Sequence, residues 1–354
     1  MKKLSLILVC ILIALSITAC TGTPVIYMTN CDCPENHASA PAPAPVPVEG
    51  DLKTGLAIVG GAADSKGAAE GANGEAKYDV TIVAVTIDNN GVIASCIIDS
   101  VGASLNFDVA GAIVSDVNAP IKTKNELKED YNMKAYAGSK YEWYEQAKAL
   151  SDYAVGKTVN ELKNGAVNES GKAKDADLAS VATIYIAGYV DAIEKAVLNA
   201  QPLGAKAGDE LRLSIVPAFA SCAAATAEKA GNAEMDVDAC ALTVSAGKIT
   251  SCMIDSVQIK VGFDALGQVV SGNTNDVKTK NELKEDYNMK AYAGSKYEWY
   301  EQAASFSKYV TGKTFEEVAS IAVNESTKPT DADLSATVTI SIGGFKGLIT
   351  KAAN

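Results

Sequence analysis

Chemistry in this chain has to be found almost without histidine, because His37 is the only one in 354 residues. That rules out a Ser-His-Asp or Cys-His pair and a histidine-based metal site in everything that follows it. Nor does the sequence hold a Walker loop or a Gly-x-Gly-x-x-Gly turn after a strand. Two groupings remain. The first is Asp177-Leu-Ala-Ser180-Val-Ala182-Thr183, an acid and hydroxyls at the expected start of a helix. Capping there contributes about 1 kcal/mol, and the free N–H groups of a helix start also attract phosphate. A related heptad, Asp333-Leu-Ser-Ala336-Thr-Val338-Thr339, lies further along. The second grouping is aromatic: Tyr131, Met133, Tyr136, Tyr141, Trp143 and Tyr144 fall within 14 residues of a chain that is only 6% aromatic. Flat faces with polar tips suit a planar ring system, with Asn132 and Lys134 available as donors or charge for a phosphate. Trp143 and its helix neighbours read more readily as core. Carboxylates such as Asp99, Asp108 and Glu129 read as a solvated acidic face. With no catalytic constellation present, a cofactor is the simplest source of reactivity.

The aromatic grouping occurs twice. Residues 122–147, KTKNELKEDYNMKAYAGSKYEWYEQA, recur letter for letter at 278–303, 26 residues at an offset of 156. Tyr287, Met289 and Lys290 thereby repeat Tyr131, Met133 and Lys134. Self-similarity of this kind marks one module used twice. The same offset maps Cys96 on Cys252, Phe107 on Phe263 and Asp177 on Asp333, and upstream of a turn it becomes 157, pairing Leu56 with Leu213. The expected modules are 51–200 and 208–354, with 200–208 as a short linker.

Each module opens as β structure. Residues 80–87 are rich in β-branched side chains, Asp88-Asn-Asn-Gly91 is a turn and 92–98 returns, which predicts a hairpin. Pairing Val244 with Lys248 in the second module sets Cys240 opposite Cys252, either a cross-strand disulfide or two small core residues. Val83 opposite Cys96 in the first module favours core. The second half of each module is helical: Trp143, Ala147, Leu150 and Ala154 recur on one helix face, as do Trp299, Ala303, Phe306 and Val310. Gly156 and Gly312 are stop signals, Thr158 and Thr314 open capping boxes, and last helices are expected over 181–199 and 337–352. The fold class is α+β, two tandem repeats that each pack helices on a small antiparallel sheet.

The address is written at the start. Residues 1–19 have the form of a secretory signal: Lys2 and Lys3, an apolar stretch over 4–17 and small residues to close. Fourteen apolar residues are too few for a membrane span, which takes roughly 20. Residues 20–50 form a tether, with ASAPAPAPVPV at 38–48 suited to a semi-extended spacer of up to about 3 Å per residue. Cys31, Cys33 and His37 within it make a poor metal box. The formal charge of −12 becomes −14 once Lys2 and Lys3 leave, and argues against nucleic acid as a partner.

Two resemblances sharpen this reading. Ile17-Thr-Ala-Cys20 resembles the lipobox of bacterial lipoproteins, which implies lipidation, including palmitate, at Cys20 and a lipid-anchored place on the extracellular face of the cell membrane. Asp177-x-x-Ser180-x-Ala182-Thr183 resembles the flavinylation motif of FMN-binding domains, in which a transferase joins FMN to the last Thr by a phosphodiester. Val181 stands where a Gly is usual. In the second heptad Asp333 and Thr339 are kept, while Ala336 and Val338 replace Ser and Ala, and Thr337 is a neighbouring hydroxyl. With the lipobox, the tether and the tandem NELKEDYNMK and SKYEWYEQA blocks, nearly the whole chain resembles the flavinylated lipoproteins of Gram-positive extracellular electron transfer. The resemblance implies a redox carrier rather than a substrate-specific enzyme. It would carry two covalent FMN groups and pass electrons from a membrane quinone-linked donor to ferric iron or another external acceptor. Two other readings stand beside it: a surface lipoprotein that captures a ligand with the aromatic block, and one whose signal peptide yields a pheromone from residues 8–19.

Overall fold

A computed structural model describes residues 51–275 and 277–353. The signal, Cys20, the tether with Cys31, Cys33 and His37, and the pheromone region lie outside the described residues. The first module builds an antiparallel sheet in the order β1 (Lys53–Gly61), β2 (Gly74–Ile87), β3 (Ile93–Phe107). Six helices follow: α1 (Lys124–Leu127), α2 (Met133–Ala137), α3 (Trp143–Ala154), α4 (Val159–Gly165), α5 (Ala176–Val181) and α6 (Ala187–Leu198). The second module repeats the plan with β4 (Glu210–Phe219), β5 (Gly231–Ser245), β6 (Lys248–Phe263) and an added edge strand β7 (Val269–Ser271). Its helices are α7 (Lys280–Leu283), α8 (Met289–Ala293), α9 (Trp299–Val310), α10 (Phe315–Ala319), α11 (Ala332–Ser335) and α12 (Gly343–Lys351). The α+β expectation of two sheet–helix units holds at this level.

The strands are apolar on both faces, which is why 80–87 reads as a nearly continuous run. Ala76, Tyr78, Val80, Ile82 and Ala84 point from one face of β2 into a core that also takes Ala233, Met235, Val237, Ala239 and Ala241 of β5. Val83, Val85 and Ile87 point the other way, under Trp143, Ala147, Leu150 and Ala154 of α3; Cys240, Leu242 and Val244 do the same under Trp299, Ala303, Phe306 and Val310 of α9. The result is four layers: helices, sheet, sheet, helices. The linker at 200–208 lies along β1, with Thr54 and Gln201 exchanging backbone hydrogen bonds at 2.9 Å each and Leu52 N donating to Ala205 O.

Contacts between the modules are reciprocal. Lys195 bonds Glu282 at 2.7 Å, and Lys351 bonds Glu126 at 2.5 Å, the same pair with the modules exchanged. Ala68 N donates to Gly267 O and Ala225 N to Gly111 O. On the approximate two-fold axis that these pairs define, the equivalent residues Phe107 and Phe263 stack on each other, ring centres 4.1 Å apart and 3° from parallel. This is the self-complementary geometry of a symmetric dimer, here within one chain.

Two local expectations change. In the β5–β6 turn, Ala246 and Gly247 both have positive φ (49° and 75°), a two-residue turn in which Ser245 pairs with Lys248. An irregularity at Thr243/Val244 shifts the register again, so Cys252 faces Leu242 and Cys240 faces Ile254. Both cysteines are buried and free, with Sγ atoms 3.6 Å apart. In the first module Cys96 faces Val85 rather than Val83. The expected last helices also start later than the sequence suggests, at Ala187 and Gly343 rather than near 181 and 337, because the residues before them are held out of the helix by the contacts described next.

Candidate functional site

The repeated block organises itself through carboxylates at its turns. Thr123 and Glu126 form a capping box on α1, and Asn132 turns the chain through the left-handed region (φ 61°) into α2. Glu142, 3% exposed, accepts from Met133 N at 2.7 Å and Lys134 N at 3.2 Å. Its own N–H donates to Glu145, closing the capping box of α3. One buried carboxylate thereby joins the start of α2 to the start of α3. Glu298 does the same in the copy, accepting from Met289 N at 2.7 Å and Lys290 N at 3.0 Å.

Gln146, fully buried on α3, connects this block to the first heptad. Its Oε1 accepts from Thr183 N (2.8 Å), Thr183 Oγ1 (3.1 Å) and Ile184 N (3.1 Å). Its Nε2 donates to Ser139 Oγ, Tyr141 O and, more distantly, Met133 Sδ. Gln302 makes the same set with Thr339, Ile340, Ser295, Tyr297 and Met289. Thr339 is thus the positional counterpart of Thr183, whereas Thr337 donates to Leu334 O. Below the clasp, Gly171 O accepts from Ile186 N and Ala187 N, and Thr327 O from Ile342 N. With the amide donors of Thr183, Ile184 and Ile186 captured from outside, 183–186 cannot continue the helix.

The other heptad residues are positional. Asp175, not Asp177, caps α5, its Oδ1 accepting from Asp177 N and Leu178 N at 3.0 Å each; Asp331 caps α11 in the place expected of Asp333. Ser180 Oγ donates to Asp177 O, Ala182 is buried and the Thr183 side chain is exposed.

Beside Thr183 opens a cavity of about 480 Å³ lined by Tyr131, Met133, Trp143, Ile184, Tyr185 and Tyr189 over strand residues of β1 and β2. Lys124 enters it from α1. Its Nζ lies 5.3 Å from the Tyr131 ring centre, 5.2 Å from that of Trp143 and 3.8 Å from Asp79. Burial works against its charge, but Asp79 and the Tyr189 and Tyr131 hydroxyls outweigh that and hold Lys124 above its ordinary value. The Trp143 indole donates to Tyr189 OH at 3.0 Å. Thr339 lines a cavity of about 400 Å³ with Met289, Ile340, Lys296 and Lys328.

Of the sequence candidates, Tyr131 and Met133 reach the first cavity and Met289 the second. Tyr287 instead donates its hydroxyl to Gln258. Lys134 and Lys290 turn away into ion pairs with Glu145 (2.9 Å) and Glu301 (2.8 Å); the lysines over the Tyr131 and Tyr287 rings are Lys124 and Lys280. Tyr136 is 93% exposed and Asn132 makes no side-chain cap. Asp99 is no surface acid. At 7% exposure it accepts from Ser100 N and Asn125 N, and burial pushes its carboxyl up to about 6; Asp255 behaves identically. Sequence reasoning passed over Gln146 and Gln302, although a glutamine beside Ala147 on the Trp143 stripe is a polar residue where burial was expected.

Among the described residues no group of three or more His, Cys, Asp or Glu is placed to hold a metal ion, and no helix is long and apolar enough to cross a membrane. Comparison of the chain with protein-family models, curated proteins and solved structures finds no match.

Proposed function

We propose that each sheet–helix module is an FMN-binding domain and that the chain is a surface-anchored redox carrier, with one FMN on Thr183 and one on Thr339. The observation that carries this reading is the glutamine clasp, which fixes a threonine hydroxyl in both modules, next to the cavity-lining Ile184 in the first and on a cavity wall in the second. The first cavity, about 480 Å³, falls within the roughly 300–1,000 Å³ of small-molecule sites. Its aromatic and thioether walls suit a flat ring, and Lys124 adds a fixed positive charge. Esterifying Thr183 Oγ1 removes its proton and so one of the three bonds to Gln146 Oε1; the two backbone N–H bonds remain to hold the attachment point.

FMN when bound would supply the ability to take up one or two electrons, which lets a carrier join a quinone-linked donor to one-electron ferric iron. The protein's residues then orient the ring, shield one side of it and keep it from diffusing away. None of this needs a catalytic acid or base. On the same reading an FMN transferase matures the protein, and lipidated Cys20 with the tether keeps it at the extracellular face of the cell membrane.

The test is the intact mass of the full chain produced with its FMN transferase. Two flavin adducts are expected, one lost in Thr183→Ala and the other in Thr339→Ala, and the protein should stay yellow after denaturation and gel filtration. A colourless, unmodified chain under these conditions would leave the ligand-capturing lipoprotein as the better account.

A further inference from the structure

The two modules keep the same threonine and clasp and the pairs Tyr131/Tyr287 and Trp143/Trp299, and differ in the strand that floors the first cleft and in its counterpart. On β2, Lys77, Asp79 and Thr81 alternate with the core residues Tyr78 and Val80, and so point toward the helix side. The matching residues on β5 are Glu234, Asp236 and Asp238, alternating with Met235 and Val237. Around the first cavity, Lys77 and Lys124 offset Asp64 and Asp79. In the second module Lys280 faces three carboxylates, and Ser221 stands at the position of Asp64. Lys260 lies 3.6 Å from Glu234 but is 57% exposed, so it compensates only in part.

The carboxylates occupy the places that match the floor of the first cavity, outside the residues that line the cavity at Thr339. A Cβ on Gly344, the counterpart of the cavity-lining Gly188, would come within 4.0 Å of Asp238 Oδ2. Gln258 donates to Glu234 at 3.2 Å and accepts from Tyr287 OH at 3.0 Å, tying the acids to the aromatic wall. Burial lifts the Asp236 carboxyl to about 6, Lys280 pulling against it and Glu234 and Asp238 adding to it. The lysines near the threonines do not offset this difference, because Lys296 and Lys328 have counterparts in Lys140 and Lys172.

We propose that the two sites are electrostatically unequal, and that a flavin on Thr183 has a higher reduction potential than a flavin on Thr339. This rests on reading the two threonines as attachment sites. A flavin ring that takes two electrons and one proton carries one more negative charge than before, while the quinol-linked donor gives up the same two electrons. That added charge is favoured beside Lys77 and Lys124 and opposed beside Glu234, Asp236 and Asp238. A difference of one or two unit charges, at the effective dielectric of about 20 that suits such sites, favours the first ring by about tenfold or more in the reduced population. At equilibrium electrons therefore collect in the first module, and the second is the stronger reductant.

Spectroelectrochemical titration of the full-length, transferase-loaded chain decides this. Thr339→Ala leaves only the flavin on Thr183, and Thr183→Ala only the flavin on Thr339. The first variant should show the more positive midpoint. In the Thr183→Ala background, Glu234→Lys with Asp238→Thr should raise the midpoint toward the other, and in the Thr339→Ala background Lys77→Glu should lower it. Equal midpoints or the reverse order overturn the inference. Absence of any adduct by mass overturns instead the reading of the threonines. Should a charge variant fail to fold, the two single-threonine variants still settle the order, because each removes only one clasp hydrogen bond.

Discussion

The first and second modules share one outer block letter for letter, while the sheet faces where they touch each other keep some positions and exchange others. The 26 identical residues run from before α1 into the first turns of α3, and from before α7 into the first turns of α9, on the outer side of each module. The buried faces of the sheets, which a duplicated fold has every packing reason to preserve, hold Tyr78 against Met235 and Ala62 against Phe219 at equivalent positions. These changes are complementary: Phe219 of the second module packs against Tyr78 of the first, ring centres 6.0 Å apart. Core volume can be redistributed between facing positions at little cost. A cluster of capping boxes, buried carboxylates and a glutamine clasp cannot, because each donor needs its own acceptor.

The comparison is tested hardest at the clasp. Gln146→Ala and Gln302→Ala each remove an acceptor shared by two backbone N–H groups, and should cost about 3–4 kcal/mol apiece by denaturant titration. Adduct formation should be lost only on the threonine of the altered module. If both threonines lose modification in either variant, the modules do not act as separate sites.

A smaller effect concerns Asp99 and Asp255, which sit in matching places and share a value of about 6. A carboxyl raised above its unfolded value of about 3.9 favours the folded state when protonated. That contribution is complete below about pH 4 and lost as pH rises through about 6. Measured against wild type, Asp99→Asn and Asp255→Asn should each gain about 2–3 kcal/mol in relative stability between pH 4 and pH 7. A flat difference across that range, or a response in one module alone, would break the equivalence.

The smallest effect comes from a paired exchange. Gly171 (φ 75°) lies under the Tyr185 ring, where an added Cβ would come within 1.9 Å; its counterpart Thr327 (φ 56°) instead hydrogen-bonds Ser341, the counterpart of Tyr185. Gly171→Thr should destabilise by about 1–2 kcal/mol, and adding Tyr185→Ser should recover most of that in a thermal melt. Failure of the second change to rescue the first would mean that the two loops differ in more than this pair.

Much of this was legible in the residues, and the gaps have physical causes. The duplication, the hairpins, α3 and α9, and the capping boxes at Thr158 and Thr314 follow from local periodicity and short-range hydrogen bonding. The break before α6 does not, because it is imposed by Gln146, 37 residues from Thr183. Lys134 looked like the cleft lysine because it neighbours Met133, but Glu145 lies within its reach and captures it. The register of Cys240 and Cys252 depended on the turn, which holds two residues because Ala246 as well as Gly247 takes positive φ, and on the irregularity at Thr243/Val244 that follows it. The back-to-back packing of the sheets left its trace in strands apolar on both faces, but pattern alone does not say what covers the second face.

The reciprocal ion pairs and the Phe107–Phe263 stack have one more consequence. A surface that complements itself would, on separate chains, assemble only as concentration allowed. The nine residues of 200–208 make the encounter intramolecular, at an effective concentration in the millimolar range. The stoichiometry of the two sites is thereby fixed at one to one in every molecule, however sparsely the protein is distributed.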